Sequence, residues 1–159
     1  MELKVSSGLT AFIGKAGLTG ISGAATTHSS SAGVFAIRGK AITHAADSGV
    51  ATPTTDAVTG AAITVTTSQA RAVLFCLDSS DAVKIVAGPV VSMDAAGNYL
   101  AQPTFPDLPD TLCPFGYVIV KGGATLSGTF TVGSSNWNTT GMTYAVVDLF
   151  GLPDRPQGS

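Results

Sequence analysis

The sequence predicts an all-β chain: a single β-sandwich or jelly-roll-like domain with an N-terminal arm rich in Gly, Ser and Ala. Three observations predict it. Apolar residues come in short β-type runs between Gly, Ser, Thr and Pro rather than at helical spacing. Several pairs of runs are joined by tight turns of Gly, Asp or Ser. Prolines crowd the segment from Pro103 to Pro114 and exclude a helix there. A length of 159 residues suits one domain with a core that needs no staples.

Residues 1–33 read as the arm. Leu9, Phe12, Ile13, Leu18 and Ile21 are isolated among Gly8, Gly14, Gly17, Gly20 and Gly23, which oppose a helix. His28 to Gly33 is Ser-rich and has the composition of a hinge. The β domain is expected over 34–159. Val34 to Ile37 and Ala41 to Thr43 flank Arg38-Gly39-Lys40 as a first hairpin. A loop is expected from Ala46 to Gly60, then a half-buried strand at Ile63 to Thr66, where apolar and polar residues alternate.

Arg71 to Leu77 is nearly all apolar and reads as a central strand. With Ala82 to Val86 it flanks Asp78-Ser79-Ser80-Asp81, a second hairpin. Val90 to Met93 precedes the turn Asp94 to Asn98. The segment Pro103 to Pro109 should be extended and lie on the surface or in a groove, because proline gives no donor to a ladder. Tyr117 to Val120 and Thr125 to Val132 flank Lys121-Gly122-Gly123-Ala124 and predict a third hairpin. Met142 to Leu149 is the last strand.

Only 11% of residues are charged although 45% are hydrophobic, and the mean hydropathy is +0.37. An average soluble domain is about 25% charged. A surface so poor in charge suggests cover by other protein. The eight Lys and Arg are scattered singly, so no nucleic-acid footprint is expected. Gly/Ser/Thr-rich and alternating stretches predict no membrane partner, and the Met1 to Lys4 start lacks the apolar run of a signal peptide.

Candidate chemistry is thin. His28 and His44 have no carboxylate at metal-ligand spacing, Glu2 is the lone glutamate, and the aspartates fall at turns or strand ends. No nucleophile elbow, phosphate loop or dinucleotide fingerprint occurs, and no cofactor is expected. Ser and Thr are abundant, so counting does not exclude a triad. Cys76 and Cys113 read as buried free thiols, with a disulfide as the alternative. Phe105, Leu108, Leu112, Phe115, Tyr117 and Trp137 are the candidate interface residues. Each aromatic is either core or an anchor between subunits, and Trp137 in a polar loop also suits a sugar platform.

The order of several segments carries a resemblance. Phe35 to Lys40 is followed by Thr52 to Gly60, then Lys84 to Gly88, Leu108-Pro109, Cys113 to Val120 and Val147 to Pro156. Over about Val34 to Pro156 the chain resembles small β-rich virion proteins of tailed bacteriophages, in particular capsid cement or decoration proteins. The resemblance implies a trimeric β domain, made in the host cytoplasm and seated on the capsid surface. Its partners would be the major capsid protein and further copies of itself. The alternative is a head-fibre or tail adhesin module gripping a host surface glycan. No catalytic role is implied.

Overall fold

The computed structural model describes residue 8 and residues 10–149. Its regular structure is all β. The twelve strands are β1 (Ala11–Ile13), β2 (Thr27–Ser30), β3 (Gly33–Ile37), β4 (Lys40–His44), β5 (Asp47–Ala51), β6 (Thr64–Val65), β7 (Gln69–Leu77), β8 (Val83–Ala87), β9 (Val91–Ser92), β10 (Cys113–Gly122), β11 (Phe130–Thr131) and β12 (Met142–Asp148). They form a five-stranded sheet, a three-stranded sheet and two strand pairs.

The five-stranded sheet organises the molecule. Its order is β12-β10-β7-β8, with β9 also on β7, and every pairing is antiparallel. β7 lies at its centre because nearly every residue is apolar, so both faces must be covered. One irregularity sets which side chain faces where. The register of β10 on β7 shifts between Pro114 and Gly116, where a proline without an N–H stands at a bulge. Phe115, Val118 and Val120 therefore share one face, and Tyr117 and Ile119 the other.

The first face carries the larger core. Val73, Phe75, Leu77 and Ile85 meet Phe35 and Ile37 of β3, Val65 of β6, Phe130 of β11 and Trp137. The second face is covered without a ladder. Leu74, Cys76, Val86 and Ile119 lie beneath Phe105, Leu108 and Leu112. These come from the proline segment, which holds no strand between Ser92 and Cys113. Gly88 lets this strap pass close: a Cβ there would stand 2.1 Å from the Thr104 carbonyl oxygen.

The β3–β4 hairpin is as the sequence predicts. Ile37 faces Lys40 across a two-residue turn, with φ of 51° at Arg38 and 80° at Gly39. Positive φ at both positions is the type I′ geometry that matches strand twist.

Three expectations need correction. The boundary at residue 33 is not a boundary of the core. Phe12, Ala16, Leu18 and Ile21 are buried in the first-face core, β1 pairs with β3, and β2 pairs with β5. The glycines that argue against a helix instead let the chain turn, with φ of 63° at Gly17 and 71° at Gly20. The part of the arm before residue 8 lies outside the described residues. The loop expected from Ala46 to Gly60 contains β5. The third hairpin does not form: β10 pairs with β12, and β11 with β6. The Gly123 carbonyl accepts the Leu126 N–H at 3.1 Å in a local turn, but its own N–H reaches the distant Gly141 carbonyl at 2.8 Å, so the turn does not lead back along β10.

Candidate functional site

The six candidate interface residues fall into two groups. Phe115, Tyr117, Leu112 and Trp137 are buried in this chain, while Phe105 and Leu108 are half-buried on the second face. Phe105 meets Tyr117 edge-on at 5.0 Å between ring centroids. Trp137 is 1% exposed. Its Nε1–H donates to the Thr27 carbonyl at 3.1 Å, and its ring packs on Phe130 and Tyr144. It is a core residue tying the first thirty residues down, and no surface is left on it for a sugar.

The structure assembles a polar cluster that the sequence does not reveal. Ser30 Oγ lies 2.8 Å from His44 Nε2, and His44 Nδ1 lies 2.6 Å from Asp81 Oδ1. An ionised carboxylate only accepts, so Nδ1 carries the hydrogen; in the neutral ring Nε2 then accepts from the Ser30 hydroxyl, for which Asp47 Oδ2 at 3.5 Å is a second, longer acceptor. That is the order of a serine–histidine–aspartate relay. Accessibility decides against a substrate: Ser30 is 6% exposed and His44 1%. The His44 ring is walled by Phe12 and Phe115. What the arrangement does is fasten β2, β4 and the β7–β8 turn together. Its members come from separate elements, which is why no spacing rule finds them.

His28 lies beside this cluster, fully buried. Its Nδ1 is 3.3 Å from Thr52 Oγ1, its ring packs on Phe75 at 5.5 Å, and its Nε2 has no hydrogen-bond partner among the described residues. Asp47 Oδ2 stands 3.9 Å from Nε2, too far for a hydrogen bond. Burial lowers the His28 pKa, Asp47 pulls it up, and His44 lowers it further. Among the described residues no group of three or more His, Cys, Asp or Glu is placed to hold a metal ion. Cys76 and Cys113 are free and buried; burial raises both thiols, Cys113 to about 12.

The two edges of the central sheet differ. The outer edge of β8 is capped: Ala57 N–H donates to the Ile85 carbonyl, and Ala87 N–H donates to Asp56 Oδ2, both at 2.8 Å. Asp56 also accepts the Val58 and Thr59 N–H groups at 2.8 Å. Burial raises its pKa, but these hydrogen bonds outweigh burial and hold it below the ordinary value. The outer edge of β12 is not paired among the described residues, although the Gly17 and Leu18 N–H groups hold the Asp148 carboxylate at its end. Its ladder to β10 is bounded by bonds from Gly123 N–H to Gly141 and from Leu149 N–H to Phe115. Antiparallel alternation then turns the backbone groups of Tyr144, Val146 and Asp148 outward. Among the described residues, no strand pairs with that side of β12.

A cavity of about 350 Å³ opens on the second face, lined by Gly97, Asn98, Tyr99, Gln102 and Lys121. No helix among the described residues is long and apolar enough to cross a membrane. In comparisons with known proteins, no family model, no curated protein and no solved structure matches this chain.

Proposed function

We propose that this chain is a structural virion protein: a capsid cement or decoration protein that binds between capsomers and stabilises a phage head. In this reading it sits on the capsid surface as a homo-oligomer, a trimer, against the major capsid protein. The observation that carries it is a surface poor in charge together with a β12 edge that no strand among the described residues covers and whose one charged residue, Asp148, is held at its end by the Gly17 and Leu18 N–H groups. Met142 to Val147 holds no Lys, Arg, Asp, Glu or Pro. Soluble proteins ordinarily blunt such an edge with charge, proline or a covering segment. An edge left unpaired by the described residues suits a partner strand or loop. Weak contacts repeated over a symmetric shell add up through avidity, so each copy needs little area. The reading asks for no catalytic group.

Counting copies in purified particles by quantitative mass spectrometry tests it. On the order of hundreds of copies per particle is the expected result for a multivalent shell component. Absence from particles overturns the reading, and a mere handful of copies moves the chain to a tail or vertex. Sedimentation of the purified protein at micromolar concentration tests the trimer, and monomer alone overturns it.

A further inference from the structure

We infer that the cavity beside Tyr99 is a binding site for an acidic sugar, a saccharide unit carrying a carboxylate. This goes beyond the structural role and does not depend on it. The walls are fixed by elements that fold for other reasons. Lys121 lies in β10, between Ala70 of β7 and Thr143 of β12. Tyr99 faces Met93 across an isolated bridge and packs on Ala70, Val91 and Met93. Asn98 is held by Asp94, whose carboxylate accepts its backbone N–H at 2.8 Å and its side-chain amide at 2.9 Å.

The chemistry of the lining is specific. Lys121 Nζ stands 4.5 Å from the centroid of the Tyr99 ring. A cation–π contact orients the ammonium but leaves its charge uncancelled. Among the described residues no carboxylate forms an ion pair with Lys121. Asp94, in the adjoining turn, is engaged by Asn98 and by the Ala96 N–H. The Asn98 amide donates to Asp94, so its Oδ1 remains an acceptor, and Gln102 brings a donor and an acceptor. The Tyr99 hydroxyl is buried and, among the described residues, has no hydrogen-bond partner. The hydroxyl is out of reach of the cavity, so it is the Tyr99 ring that forms the wall.

A fixed cation asks for an anion, and two carboxamides ask for hydroxyls. The volume lies at the small end of ligand sites, about 300–1,000 Å³. A carboxylate side chain offered by a protein partner would leave most of that space unfilled, whereas a sugar acid fills it and answers the amides.

The test is a titration of methyl β-glucuronide into the full isotope-labelled chain, followed by amide shifts. Methyl β-glucoside and acetate serve as controls. Saturable shifts confined to the neighbourhood of 97–102 and 121 are expected, with affinity about tenfold or more above either control, the worth of a charge-assisted hydrogen bond. Lys121→Gln should remove that advantage, and Tyr99→Phe, which keeps the ring and removes only the inaccessible hydroxyl, should bind like wild type while the spectrum stays folded. Lack of saturable shifts at concentrations on the order of tens of millimolar overturns the proposal. Equal binding of the glucoside overturns the role of the charge, and equal binding of acetate reduces the cavity to an anion site. Unchanged binding by Lys121→Gln, or shifts centred elsewhere, overturns the assignment of residues.

Discussion

The two faces of the central sheet are both buried, by different means. The first face is covered by chain that makes its own ladders: β1, β3 and β4, then β2 with β5, and β6 with β11. The second is covered largely by an extended strap whose side chains press down while its backbone pairs with little; one of its few backbone bonds runs from Leu112 N–H to Pro109 O at 3.1 Å. A ladder orders many residues together, so removing one contact is felt across the element. A strap of prolines is already short of conformational freedom, and it can be held at a few points. The difference teaches that burial alone does not measure how cooperatively a face is covered.

The largest effect that separates the faces is a pair of truncations. Trp137→Ala removes a side chain from the first face and orphans the Thr27 carbonyl it serves. It should cost about 3–5 kcal/mol, the range for a large buried aromatic. Phe105→Ala removes a half-buried ring from the strap. It should cost roughly half as much, because the strap can settle into the space. Urea denaturation of both variants checks this. Equal losses would mean that the strap is as rigid a part of the core as the ladders are.

The sequence shows the strap more clearly than the ladders. Prolines at 103, 106 and 109 exclude a regular central strand on backbone chemistry alone, and Phe105, Leu108 and Leu112 are the apolar side chains between and beside them. The β3–β4 turn, central β7 and the Asp78 to Asp81 turn were equally legible, because each is decided within a few residues. The cover of the first face was not. Its residues before Gly33 look like a linker, since isolated apolar side chains among glycines find their partners in strands distant in sequence, among them β3 and β4. The pairing of β10 with β12 was hidden for the same reason: a local Gly-Gly signal loses to a strand twenty residues on. The cavity draws on a turn, a strap and a strand, and the Ser30–His44–Asp81 cluster on two strands and a turn. No period or motif joins such positions.

A smaller effect, confined to the first face, concerns acid. His28 is buried there, and its pKa lies below the ordinary 6.5 because burial disfavours the cation. The unfolded chain takes up a proton near 6.5, while the folded chain resists until lower pH. Protons therefore favour unfolding, and stability falls as pH drops from about 6.5 to the folded value. Above 6.5 the residue makes no contribution of this kind. Stability of wild type and His28→Gln should be compared at about pH 7.5 and about pH 5.5. The variant should lose less on acidification. An equal loss would show that the buried His28 imidazole is not the source of the acid sensitivity.

The smallest effect tests the strap itself. Its far end is fastened by Asp110, which takes the Arg38 guanidinium in a two-pronged contact, Nε at 2.9 Å and Nη2 at 2.5 Å. Both partners are exposed, so water and salt compete with the contact and global stability should hardly register its loss. Local opening should register it. In Arg38→Ala the Leu112 amide, bonded only to Pro109 within the strap, should exchange its hydrogen faster. The amides of Leu74 and Ile119, in the sheet below, should keep their rates, because a strap without a ladder opens as a unit of its own. Raised salt should move wild-type Leu112 in the same direction by screening the pair. If Leu74 and Ile119 quicken in step with Leu112, the strap does not open separately, and the two faces are covered with equal cooperativity after all. If Leu112 keeps its rate, the Arg38–Asp110 contact fastens nothing, and the hold on the strap lies in Phe105 and Leu108.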